Sequence, residues 1–417
     1  MAGLRAPDPA PNRQRRAIVV GGSIAGSFAA AFLRGIGWQV DVYERSAVEL
    51  IGRGAGIFAA HPELLEALDR SGAGTADIGV LAYRRIALDR AGDVIAAKPM
   101  LQIVTSWDRL RQLLSKAIDR RRYYFGHTFE GVDQDAAGVT VRCTNGKTER
   151  ADLLVACDGS RSSVRGQLAP EVQPIYAGYY LWRGTPDEAD LSPHTRSTLF
   201  SHYAFFLAQQ TQVLGYPIAG ANNELEIGRR RYNFAWFRLA DAEALRAMCV
   251  DDRGHQHEFS VPPPLVSRRL IAEMRAEAET QLPPQFIDCL RHIERPFFTP
   301  ITDFCAPSQV YGRVVLLGDA GATVRPHVGF GASKAGAEAQ ALAEALSTHE
   351  DVDEALTAYN AARQPLSERI VRHGRRLGTQ LGVGIESDDD RRMSKLLQDP
   401  ETILDWVAVP NFLAHEP

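Results

Sequence analysis

Two hydrophobic periods alternate along the chain. An unbroken apolar run at 17–20 leads into small residues, and a second run at 39–43 ends on Glu44. That pattern predicts a buried strand, a helix over 27–34 and a second strand. HPELLEALDRSG (61–72) predicts a helix with Pro62 in its first turn and Gly72 past its end. Residues 79–98 read as short strands. SWDRLRQLLSKAI (106–118) places Leu110, Leu113, Leu114 and Ile118 on one helical face. Residues 128–160 read as strand, turn, strand, an Asn145-Gly146 turn and a buried strand at 153–157. Aromatic residues in alternation over 174–240 predict an antiparallel sheet. Helical patterns follow over 241–293, broken at 262–264 by prolines. RVVLLGDAG (313–321) predicts a buried strand and a Gly-rich turn, and 332–346 a strong helix. The remainder to 417 reads as mostly helical. No internal repeat is present.

Composition narrows the class without changing this picture. At 417 residues, 45% hydrophobic and 24% charged, the chain can hold a large core, expected in two domains. A net charge of −4 argues against a nucleic-acid or anionic-membrane surface. The five cysteines (143, 157, 249, 289 and 305) form no C-x-x-C, so reduced thiols in a cytoplasmic protein are expected, with no disulfide frame and no metal site. No run reaches the roughly 20 apolar residues that span a bilayer. Residues 1–14 read as a mobile tail.

Chemistry enters at Gly21-Gly22-Ser23-Ile24-Ala25-Gly26, between the first strand and helix. Gly21 permits a tight turn, Gly26 permits close helix–sheet packing, and the helix N-terminus suits a pyrophosphate. Glu44 can accept from ribose hydroxyls and would repel a 2′-phosphate, which favours FAD or NAD over NADP. Ser23 stands where the fingerprint has its second glycine. A rival reading is open on this stretch alone: Arg13, Arg15 and Arg16 before the uncharged run 17–33 resemble a secretory signal.

Two later segments bear on that choice. The predicted strand at 153–157 delivers Asp158-Gly159 to its C-terminal end, where ligands bind in α/β sheets; the plain alternative is a surface Asp-Gly turn. Gly318-Asp319-Ala320 is followed by Pro326 and by Gly329-Phe330-Gly331-Ala332 opening a helix. Asp319 can accept from a polyol chain, and the helix start suits an electron-rich flavin edge; the alternative is one more turn and capped helix.

These three segments, in this order and spacing, resemble the class A FAD-dependent aromatic monooxygenases with the p-hydroxybenzoate hydroxylase fold, over about residues 15–370. A closer resemblance is to the 2,6-dihydroxypyridine 3-hydroxylase subfamily. It rests on Tyr176-Ala-Gly-Tyr179, Trp182-Arg183-Gly184, Tyr216-Pro217-Ile218, Asn233-Phe234 with Trp236, and Arg325-Pro326-His327 with Lys334. The implied fold is α/β with α+β: a Rossmann-like FAD-binding domain (15–75, 99–173, 294–370), an inserted antiparallel-sheet substrate domain (76–98, 174–293) and a C-terminal helical segment (371–417).

The resemblance implies FAD held by Gly21, Gly22, Ser23, Ile24, Ala25, Gly26 and Glu44, with Arg45, Arg53 and Arg109, by Asp158 and Gly159, and by Asp319, Pro326, Gly331 and Ala332. NADH or NADPH is the transient co-substrate, the partners are O2 and a small aromatic, and a homodimer is expected. Reduced flavin and O2 give an electrophilic C4a-hydroperoxide, which needs an electron-rich hydroxylated N-heteroaromatic and a dry site. His327, Tyr216, His202 and Pro326 are the catalytic candidates. His202, Tyr203, Arg183, Tyr216, His327 and Gly329 are the substrate-contact candidates. Plainer roles stand beside them: His202 as a sheet histidine, His327 as a turn cap, Tyr216 as packing, Arg183 paired with a structural carboxylate, and Trp182 and Trp236 as core. Three positions depart from many relatives: Gly321-Ala322 replaces Ala-His, Glu338 replaces Asp, and Trp107 replaces an FAD-contacting Arg, a role that would pass to Arg109 or Arg111. A carboxylated or phenolic ring (6-hydroxynicotinate- or salicylate-like), or a flavin-binding sensor without turnover, are the alternatives.

Overall fold

The computed structural model describes residues 14–50, 56–59, 61–410 and 412–414. Strand Arg16–Val20 sits inside a six-stranded sheet, in the order Val310–Tyr311, Val314–Leu316, Leu153–Ala156, Arg16–Val20, Gln39–Glu44, Tyr123–Phe125. Neighbours run parallel except the edge pair Val310–Tyr311 with Val314–Leu316. The first strand is apolar on both sides because both faces are covered. Ala17 and Val19 belong to a core shared with residues of helices Ile24–Gly35 and Gly331–Thr348. Ile18 and Val20 pack with residues of a three-stranded antiparallel sheet, Phe129–Asp135, Gly138–Cys143 and Thr148–Ala151. Residues 17–33 are thus the centre of this layer, and Leu33 is buried, which removes the secretory reading of that stretch.

The second layer is a nine-stranded sheet: Ala322–Thr323, Phe297–Cys305, Ile175–Gly184, Arg231–Leu239, Thr211–Ile218, His202–Ala208, Val80–Leu88, Val94–Ser106, Gly56–Phe58. It is antiparallel except where His202–Ala208 lies parallel to Val80–Leu88. Alternation along its strands divides two cores. Tyr179, Leu181 and Phe237 share one with residues of the C-terminal helices Val352–Gly378, Asp388–Leu396 and Pro400–Trp406. Tyr180, Trp182 and Trp236 share the other with residues of helices Arg268–Gln281 and Pro284–Arg291. Trp182 and Trp236 are therefore core. The architecture is the expected one: a Rossmann-like layer, a largely antiparallel sheet and C-terminal helices.

Local differences have local causes. The first helix starts at Ile24, because Ser23 already has the extended backbone of a helix-start residue. The helix expected over 106–118 spans Trp107–Leu114, with the Ser106 hydroxyl accepting from Arg109 N. The strand Val94–Ser106 runs unbroken through the domain boundary expected at 98/99, and helix Val352–Gly378 runs through the one at 370/371. Arg53 and residues 1–13 of the expected tail lie outside the described residues. Among the described residues, no helix is long and apolar enough to cross a membrane.

Three histidines are buried, and burial lowers each pKa: His61 to about 3, His327 to about 3 and His373 to about 4. The folded values lie below the unfolded value, so the unfolded chain binds more protons below about pH 6.5 and stability falls as pH falls. Each ring is expected to remove about 1.4 kcal/mol of unfolding free energy by about pH 5.5. Urea unfolding at several pH values between about 7.5 and 5.5 measures this; a flat profile would show these rings to be charged in the native state.

Candidate active site

The Gly21 turn is shaped by what it touches. Strand Arg16–Val20 ends beside Leu153–Ala156, and a Cβ on Gly21, whose φ is +94°, would overlap the Cys157 carbonyl. Glu44 then braces the loop: its carboxylate accepts from Gly22 N (2.9 Å) and from Ser46 N (2.8 Å). Behind it, the Tyr123 hydroxyl donates to Gly22 O (3.0 Å), and Arg111 donates to Tyr123 (3.1 Å) and to the Ser27 hydroxyl (3.3 Å). No side chain caps helix Ile24–Gly35 and its first turn holds no acid, so its leading N–H groups are left for an anion.

Two clefts meet above these strand ends. The first, about 300 Å³, is lined by Gly21, Ser23, Glu44, Arg45, Asp158 and Gly159, together with Arg161 and His127. The second, about 380 Å³, has Ile24, Ala25, Asp319, Pro326, Gly331 and Ala332 on one side, and Arg183, Tyr203, Tyr216 and Asn233 from the large sheet on the other; Gly329 also lines it. Ser23, Trp107, Cys157 and Gly159 line both clefts, which form one elongated site.

The donor set along that length fits FAD. Asp158 Oδ2 accepts from Ser163 N (2.8 Å) and Val164 N (3.2 Å), while its buried Oδ1 has no protein partner and can take a ligand hydroxyl. Burial raises the Asp158 pKa. Asp319 opens into the cleft, yet crowding by protein raises its pKa against the opposing charge of Lys334. Free helical N–H groups for phosphate lie between acceptors for hydroxyls, and an apolar-walled chamber lies beyond them.

Asp319 is held from below by a buried ion pair. Glu338 accepts from Gly318 N (2.7 Å), from Gln309 (3.0 Å) and from Ser367 (3.0 Å), and pairs with Lys334 at 3.0 Å. Lys334 in turn donates to Gly318 O (2.8 Å). Both backbone groups of Gly318 are therefore satisfied by one helix turn.

On the sheet side, Tyr203 and Tyr216 stack at 4.7 Å. The two arginines of this cleft differ. Arg325 pairs with Asp303 at 2.6 Å, whereas Arg183 has no hydrogen bond or ion pair among the described residues, and its buried Nε has no partner. Burial lowers the Arg183 pKa, and the Tyr216 hydroxyl acts against that shift. Burial holds the Tyr216 pKa well above normal, so it remains a donor.

Several sequence candidates lie elsewhere. His327 is fully buried behind the wall, with Nε2 3.0 Å from the Tyr179 hydroxyl and its ring stacked on Phe237 at 4.3 Å. Burial, then the nearby Arg325 charge, keep it neutral. It therefore cannot touch a ring in the cleft. His202 stands at the edge of its strand, donating from Nδ1 to Thr198 O (2.7 Å), outside the cleft. Arg109 donates to Asp77 O (2.7 Å) and Gln112 (3.0 Å), and neither it nor Arg111 lines either cleft; Trp107 fills the junction instead. Gly22 and Gly26 shape the turn from outside the lining. Asn233, Arg161 and His127 were given no site role in the sequence reading. Asn233 pairs across strands with Tyr216, so period-2 alternation could have placed it on the same face.

Known proteins place this geometry. Residues 14–183 match the family description of an FAD binding domain, and residues 176–303 that of an FAD binding domain-like unit. The chain is 30% identical to 2,6-dihydroxypyridine 3-monooxygenase of Paenarthrobacter nicotinovorans, over 88% of this chain and 92% of that protein. It is 27% identical to an FAD-dependent urate hydroxylase of Klebsiella pneumoniae, over 84% and 85%. The solved 2,6-dihydroxypyridine-3-hydroxylase of Arthrobacter nicotinovorans superposes with a TM-score of 0.83 at 29% identity, covering 88% and 93% of the two chains. Klebsiella pneumoniae HpxO, solved with FAD and uric acid, shares the fold with a TM-score of 0.74 at 23% identity, covering 97% of both.

Replacing Asp319 by Ala should remove charge-assisted hydrogen bonds and weaken FAD binding on the order of tenfold or more. Flavin absorbance per chain after purification measures it. A variant that purifies yellow with its full complement of FAD would refute the role given to Asp319.

Proposed function

We infer a specific reaction from a general one: the chain belongs to the FAD-dependent aromatic monooxygenases, and the ring it takes is an electron-rich hydroxylated N-heteroaromatic of the 2,6-dihydroxypyridine kind. The observation that carries this reading is the unpaired Arg183 guanidinium in the second cleft, beside Tyr216. A half-buried cation without a carboxylate among the described residues is open to an anion from outside the protein. A deprotonated ring hydroxyl supplies one, and its negative charge enriches the ring for attack by an electrophile. The name of the relative at 30% identity points to the same ring class.

FAD, when bound and reduced by NAD(P)H, supplies the electrophilic oxygen derived from O2. This chain's residues do the rest. Asp319, Asp158 and Glu44 would hold hydroxyl groups of the cofactor, and the first turn of helix Ile24–Gly35 would take its pyrophosphate. Arg183 holds the substrate oxyanion and keeps it deprotonated, while Tyr216 donates a second hydrogen bond. Leu181, Leu214, Phe237 and Phe330 line the chamber and exclude water from the reacting ring. Pro326 and Gly329 close it on the cofactor side. The same unpaired Arg183 suits a ring carboxylate, which is the second reading.

Stimulation of NAD(P)H oxidation by 2,6-dihydroxypyridine, with hydroxylated product formed in step, is the direct test. Arg183→Gln should raise KM by about tenfold to a hundredfold and leave FAD content unchanged, as expected for one charge-assisted hydrogen bond. Holoprotein whose NAD(P)H oxidation responds to no aromatic compound would instead be a flavin-binding sensor. A response to carboxylated rings alone would select the second reading.

A further inference from the structure

We propose that Asn233 is a specificity-determining residue that turns a donor from the sheet wall into the substrate cleft, selecting rings that present an acceptor to it. The proposal deepens the function above and rests on the second cleft being the substrate site.

Asn233 lies on strand Arg231–Leu239, directly across from Tyr216, and it lines the cleft although only 2% of it is exposed. An amide has one accepting and one donating end, and its neighbours decide which end points where. Gly56 settles the matter here. Its backbone N–H can only donate, and it meets Asn233 Oδ1 at 2.8 Å. The accepting end is therefore committed to the strand Gly56–Phe58, and the donating Nδ2 is the end left without a partner among the described residues. That commitment depends on very close approach. A Cβ on residue 56 would lie 2.5 Å from the Tyr216 ring and 2.6 Å from Asn233 Cγ, so only glycine brings this N–H to the amide without displacing Tyr216.

The remaining polar groups of the wall can donate beside it. Arg183 can only donate, and Tyr216 and Tyr203, held protonated by burial, each keep a hydroxyl hydrogen to give. The carboxylate among the described lining residues of this cleft, Asp319, belongs to the opposite, cofactor side. A ring entering between the two sides thus meets Asn233 Nδ2 as a fixed donor, with Arg183 a second one on the same face. It is selected for an oxyanion, a carbonyl or an unprotonated ring nitrogen on that edge. A ring presenting hydroxyl donors or bare C–H there leaves Nδ2 unsatisfied.

Two probes separate these cases: 2,6-dihydroxypyridine and resorcinol, which share the hydroxyl spacing but differ at the ring atom between. Their dissociation constants are read from perturbation of the flavin spectrum of the holoprotein, alongside FAD content and melting temperature. Asn233→Asp keeps the acceptor for Gly56 N and turns the cleft-facing end from donor to acceptor. It is expected to lower the preference for 2,6-dihydroxypyridine over resorcinol by about tenfold or more, as for loss of one hydrogen bond to an ionised group. Asn233→Ala removes the donor without adding a charge and carries the same ratio test if the Asp variant fails to fold. An unchanged ratio in a folded, flavin-loaded variant overturns this inference alone. Wild-type holoprotein that binds neither probe overturns the substrate reading and this inference together.

Discussion

The Glu338 carboxylate is the interaction on which the cofactor face of the site depends. It accepts from Gly318 N, Gln309, Ser367 and Lys334 inside a region closed to water. A charge so placed is tolerable only because every neighbour is a donor. Lys334 completes the arrangement by returning to Gly318 O. A strand end, a helix and the far helix carrying Ser367 are thereby locked to one loop, and Asp319 is the next residue along. The carboxylate that opens into the cleft is positioned by one closed away from it.

A different device steadies the sheet wall of the cleft. Arg85 is fully buried with no ion pair among the described residues, and it donates to Leu404 O (2.7 Å) and Val407 O near the end of helix Pro400–Trp406. Carbonyls left unpaired at a helix end carry partial negative charge, which suits a guanidinium. Its other face lies 5.0 Å from the Tyr203 ring, and Tyr203 stacks on Tyr216. The C-terminal helices thus reach the cleft through a cation and two stacked rings.

Sequence showed the backbone of this site better than its side chains. The apolar run before Gly21, the Asp158-Gly159 turn and the helix after Gly331 each carry a local pattern, and each stands where its pattern predicts. His327 and His202 illustrate the converse. Their neighbours in sequence line the cleft, but a one-residue step along a strand or turn reverses a side chain's direction, and both histidines point elsewhere. The places of Asn233 and Trp107 in the cleft went unassigned for a related reason. Their roles arise from segments distant in sequence: the 2.8 Å bond to Gly56, and the junction of two clefts built from several strands.

The central sheet gathers its neighbours from far apart: Arg16–Val20 lies beside Leu153–Ala156, which lies beside Val314–Leu316. During synthesis the Gly21 turn therefore emerges long before Cys157 arrives to shape it, and longer still before Gly318 and Glu338 complete the floor. Assembly of such distant strands is slow relative to local structure. The nucleotide site thus draws together residues from Gly21 to Glu338. A ligand that binds only the finished state shifts the folding equilibrium toward it by mass action. Flavin supply in the cell thereby becomes a term in how much of this protein stays folded.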